Sequence, residues 1–92
     1  MEVMKEDKQR VELLMKKFTP RILRLAVSFI SFNSSVCKLK EYLKEHKDSH
    51  PYQRELFKIL LQLDESEVKE LEVLSSNIAT KGYNIDEIIP LN

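Results

Sequence analysis

An all-α fold is predicted by three observations. Apolar residues recur at helical spacing along nearly the whole chain, helix caps punctuate that pattern, and no segment alternates as a strand does. The expected architecture is a compact bundle of four to five helices around a central apolar helix at about residues 20–32. Ninety-two residues with a single Gly suit one helical domain spanning 1–92.

The first helix is expected at 2–17, with Met4, Val11, Leu14, Met15 and Phe18 toward the core. Residues 1–10 are charge-rich, so its opening turns are expected to fray. Thr19-Pro20 then reads as an N-cap followed by Pro in the first turn. Beyond it, Ile22, Leu23, Leu25, Ala26, Val27, Phe29, Ile30 and Phe32 cover roughly 220° of a helical wheel. A surface helix shows an apolar stripe nearer 100–140°, so this one must touch several neighbours or lie in an interface.

Continuing that wheel places Asn33 in the middle of the apolar arc. The next stripe, Val36, Leu39, Leu43 and His46, is shifted by about 110°. A break at Asn33-Ser34-Ser35 accounts for the shift, because these residue types bond their own backbone and cap helices. One long helix with two differently facing halves is the competing reading.

His50-Pro51 opens a helix at 51–63 with Tyr52, Leu56, Ile59, Leu60 and Leu63 on one face. Asp64 with Glu67 three residues on forms a capping box for a helix at 65–81, whose inner face carries Val68, Leu71, Leu74, Ile78 and Ala79. Lys81-Gly82 supplies the stop, with Tyr83 placed to pack back. The tail, 83–92, is expected to pack on the bundle through a short turn from Asn84 that tucks in Ile85, Ile88 and Ile89. The predicted core is Leu25, Val27, Phe29, Ile30, Leu56, Leu60, Leu71 and Leu74, and Phe29→Ala is expected to cost roughly 3–5 kcal/mol.

Composition narrows the function classes. Fifteen Lys plus Arg balance fifteen Asp plus Glu, so bulk charge draws the chain to neither nucleic acid nor an acidic surface. The balance is uneven along the chain. Residues 1–50 hold eleven cations and seven anions, whereas residues 51–92 hold four and eight. Such a dipole favours head-to-tail pairing or a charged docking face. One Cys forms no internal disulfide, and Val36 stands where lipidation at Cys37 would need Gly or Ala. No leader opens the sequence, and the longest apolar run falls well short of the roughly 20 residues of a membrane span, so a cytoplasmic protein is expected.

Chemistry-bearing clusters are sparse. His46 and His50 stand four apart beside Glu45 and Asp48, but Pro51 takes His50 off any shared helix face, so neither a metal nor a cofactor is expected. Cys37 has no catalytic signature around it and is expected to be a packed thiol. No serine lies in a Gly-x-Ser-x-Gly elbow, and one Gly excludes a phosphate-cradling loop. Asp64, Glu65, Glu67, Glu70 and Glu72 sit where a helix dipole favours acids. The same acids would repel phosphate from a helix-turn-helix formed by 51–63 and 65–81.

No enzyme is therefore expected. The leading expectation is a non-catalytic protein–protein interaction module, a small regulator, adaptor or inhibitor. It would work through a helical surface and bind another protein or a second copy of itself as a homodimer. Its contact residues are expected to be Arg21, Ile22, Leu23, Arg24, Ala26 and Ile30, apolar residues surplus to so small a bundle with Arg at the rim. The alternative is a nucleic-acid binder using the face of Lys38, Lys40, Lys44 and Lys47. A membrane surface is a weaker fit, because the apolar arc of 20–32 is too wide for a sharp interfacial moment.

Overall fold

The helix boundaries follow the side-chain caps. In the computed structural model, which describes residues 2–33 and 35–91 but not the side chains of Phe32 and Asn33, the chain forms α1 (Lys5–Leu14), α2 (Pro20–Asn33), α3 (Val36–His46), α4 (Pro51–Gln62), α5 (Glu65–Lys81) and α6 (Ile85–Ile88), with a 3-10 turn at Lys47–Ser49. No strand occurs among the described residues. Each cap supplies an acceptor that a helix start otherwise lacks. The Thr19 hydroxyl accepts from the Ile22 N–H at 3.4 Å, Ser35 accepts from the Lys38 N–H, and His50 Nδ1 accepts from the Tyr52 N–H. Asp64 and Glu67 complete both bonds of the capping box. Gly82 ends α5 at φ 67°, a left-handed conformation that costs glycine little. Asn84 caps α6.

The break after α2 is real and sharp: Pro20–Ser31 and Val36–Ser49 meet at 110°. Ser35 takes the capping role, while Ser34 lies outside the described residues. A second acceptor comes from far along the chain, where the Glu72 carboxylate accepts the Val36 N–H at 2.8 Å. The first helix is shorter than expected. It stops at Leu14, and Lys16 and Lys17 close it with tighter bonds to the carbonyls of Leu13 and Leu14. Met4 precedes the helix and is exposed, not core.

α2 sits at the centre, packed against α3, α4 and α5, while α1 lies along α5. Val27, Ile30, Leu56, Leu60, Leu71 and Leu74 are buried as predicted. Ile22, Leu23 and Ala26 are buried with them, and Leu14, Phe18, Leu39 and Leu43 complete the centre of the core. Leu25 and Phe29 are only partly buried, against the core expectation for them. The wheel located the arc correctly but not its middle, because three neighbouring helices cover the Ile22–Leu23–Ala26–Ile30 side and leave the opposite edge open. Tyr52 and Ala79 are likewise exposed. In the tail Tyr83, Ile88 and Ile89 are buried, Ile85 is partly buried and Leu91 is exposed.

Among the described residues one charged side chain is buried in this interior. Asp7 of α1 is fully enclosed and accepts hydrogen bonds from Tyr83 Oη at 2.7 Å, Arg10 Nη1 at 2.8 Å and Asn77 Nδ2 at 2.9 Å, with Lys81 Nζ 3.7 Å away. Burial pushes its carboxyl toward protonation. The bonds from Asn77, Tyr83 and Arg10, with the field of Lys81, outweigh that and hold it below the usual Asp range. These groups come from α1, α5 and the segment after α5, so one carboxylate ties three stretches of chain together.

Candidate interaction surface

α2 carries no acid, and its only charged residues are Arg21 and Arg24. Residues four apart on a helix fall along one line, so Arg21, Leu25 and Phe29 form a stripe at the edge of its buried face. Neighbouring helices extend that stripe with aromatic rings. Tyr42 of α3 lies 5.4 Å from the Phe29 ring, and His46, one turn on, stacks at 4.4 Å on Tyr42. At the other end the Arg21 guanidinium stands over the Tyr52 ring of α4 at 5.5 Å, and Tyr52 packs on His50 at 4.9 Å. Tyr42 and Tyr52 remain 41% and 43% exposed, which keeps both rings within reach of a partner.

Two open hollows flank the outer side of α2. One, of about 370 Å³, is lined by Arg21, Arg24, Leu25, Tyr52 and Leu91. The other, of about 440 Å³, lies toward α5 and is lined by Arg24, Val27, Ser28, Ser31, Ile78, Ala79 and Ile85. Both have mainly apolar walls.

The contact residues read from the sequence are divided by this geometry. Ile22, Leu23, Ala26 and Ile30 are 3%, 0%, 0% and 3% exposed, so they hold the core and cannot meet a partner while the bundle stays folded. Arg24 is engaged internally: Nε donates to the Ile89 carbonyl at 2.7 Å and Nη1 pairs with Asp86 at 3.0 Å. It pins the tail against α2. Arg21 alone of the six stands exposed at the surface. The partly open edge of α2 is therefore Leu25–Phe29, which the sequence placed in the core. The signal was present in the i, i+4, i+8 spacing, but a wheel does not say which edge of a wide arc is covered.

The remaining candidates also disperse. Lys38 projects about 160° around α3 from Lys40 and so leaves the side of α3 that carries Lys40 and Lys44. Lys47 sits over the Phe57 ring at 5.8 Å. Cys37 is exposed, not packed, because it lies off the Val36–Leu39–Leu43 side of α3. His46 is stacked on Tyr42 and His50 caps α4, and no three His, Cys, Asp or Glu side chains among the described residues are grouped to hold a metal ion.

The acids of α5 are largely drawn inward. Glu70 pairs with Arg10 at 2.9 Å and Glu67 with Lys17 at 2.7 Å, while Glu72 caps α3. The Lys17 ammonium, with the Asp64 N–H, holds the Glu67 carboxyl below its usual range. Together with Arg24–Asp86, these pairs join cations of the first half to anions of the second. The charge dipole of the sequence is thus partly neutralised within one molecule. No single helix among the described residues is long and apolar enough to cross a membrane. No family model, curated protein or solved structure matches the chain.

Proposed function

We propose that this chain is a non-catalytic protein–protein interaction module, a small regulator, adaptor or inhibitor that docks through the outer edge of α2. The observation that carries the reading is the strip Arg21, Leu25, Phe29, Tyr42 and Tyr52. Aromatic and Arg side chains dominate interface energetics, and here they lie side by side, partly exposed, over a helix without acids. Burying those two Tyr rings would add apolar contact area at small entropic cost, since a ring has few torsions to freeze.

Affinity capture with three versions of the protein tests this. Wild type is compared with the double variant Tyr42→Ser/Tyr52→Ser and with Leu61→Ser, which alters an exposed leucine of α4 away from the strip. A partner retained by wild type and Leu61→Ser but lost by the double variant, then reconstituted from purified components, supports the docking strip. Sedimentation of the same three proteins shows whether that partner is a second copy. A strict monomer whose captured proteins are unaffected by the tyrosine changes overturns the reading.

A further inference from the structure

The hollow at the Arg21 end of the strip points to a particular partner chemistry. We infer that it receives an amphipathic helical segment carrying an Asp or Glu beside its apolar anchors, with the carboxylate paired to Arg21; this rests on the docking reading above. Arg21 makes no ion pair among the described residues, whereas Arg24 beside it is already held by Asp86 and the Ile89 carbonyl. A guanidinium presents five donors in a planar fork suited to a carboxylate, and a Tyr ring beneath it fixes that plane. The hollow next to it has Leu25, Tyr52 and Leu91 as walls and a volume of about 370 Å³, enough for an apolar side chain or two from a docked helix.

Charge decides between occupants. Two copies docked α2 against α2 would set Arg21 against Arg21, with no acid on either α2 to meet them. An acidic amphipathic helix supplies the missing sign and the apolar anchors together. A basic helix of the same shape would set like charges against each other.

A displayed library of 16-residue helical peptides, with leucine anchors fixed and flanking positions free to be acidic, neutral or basic, is selected against wild type, Arg21→Glu and Tyr52→Ser. Both substituted residues are exposed, and circular dichroism verifies that the variants fold. Wild type is expected to enrich Asp and Glu at one flank. Arg21→Glu should reverse the preference to Lys and Arg and weaken the wild-type binders at least about tenfold. Tyr52→Ser should weaken every binder without changing the charge preference. Binders without acidic enrichment, or with enrichment indifferent to Arg21→Glu, overturn the acidic partner while leaving the docking strip standing if Tyr52→Ser still weakens them. Binders indifferent to both variants overturn the strip as well. An empty selection overturns both, and so does a wild-type dimer whose contacts map elsewhere. A dimer broken by Tyr52→Ser assigns the strip to a second copy and overturns the acidic helix alone.

Discussion

Asp7 shows how a buried charge is made tolerable. An isolated carboxylate in an apolar interior is strongly disfavoured, yet here three donors and a nearby ammonium surround it. Removing the carboxylate strands the Tyr83 hydroxyl and the Asn77 amide in a dry site. Asp7→Ala is therefore expected to cost about 2–4 kcal/mol, measured by urea denaturation at pH 7. The sign of the pH dependence follows from the depressed carboxyl. Its stabilisation is complete above the range where an unfolded Asp ionises, about pH 4, and is lost as pH falls through the lower native value. Wild type should lose melting temperature on acidification below about pH 4, and Asp7→Ala should show a flatter acid limb. Its spacing puts Asp7 in line with Val11, Leu14 and Phe18, but a carboxylate there reads as solvated, because its partners Asn77 and Tyr83 lie some seventy positions away. The same scale separates two apolar residues of α2. Leu23 is wholly buried, so Leu23→Ala should cost about 2–5 kcal/mol. Phe29 is partly open against Tyr42, and Phe29→Ala should cost about 1–2 kcal/mol, less than its sequence position suggested. Equal melting shifts for the two would contradict the assignment of an inner and an outer edge.

Helix ends were the most legible features of this chain, and the reason is local. A cap is made by residues within four positions of one another, so Thr19-Pro20, His50-Pro51, Asp64 with Glu67, and Gly82 announce themselves in the sequence and then form those bonds. The corner between α2 and α3 is a mixed case. Ser35 is a local cap, whereas the Glu72 carboxylate arrives from α5 and was invisible to spacing. Each bond satisfies one orphan N–H of α3, which sets the expected order of effects. Ser35→Ala should cost about 1 kcal/mol. Glu72→Gln, which keeps an acceptor oxygen but removes its charge, should cost less than Glu72→Ala. Amide hydrogen exchange at Val36 and Lys38 provides the readout: each substitution should speed exchange at its own amide first.

The whole molecule is held together across its halves. The core face of α2 packs on α5, and Arg10–Glu70, Lys17–Glu67 and Arg24–Asp86 link cations before residue 50 to anions beyond it. Fragments 1–50 and 51–92 should therefore each lack cooperative structure alone, and mixing them should restore helicity by circular dichroism. A cooperative melt from either fragment would show that the crossing contacts are dispensable. Each surface pair contributes little singly, so high salt should lower the melting temperature only slightly. The proposed docking strip is a property at this scale too. Its members come from α2, α3 and α4 and meet only because α3 turns through 110° at the corner and α4 returns beside α2.

From the sequence alone came the helical class, the cap positions, the break after Asn33 and the width of the apolar arc, because each depends on residues a few positions apart. Tertiary structure decided which edge of that arc faces inward. It exchanged Leu25 and Phe29 for Ile22, Leu23 and Ala26 as the deepest residues, turned Glu67 and Glu70 of α5 toward basic partners, and buried Asp7. Those outcomes depend on which helices come to lie beside one another, a matter of packing between distant segments that no local period records.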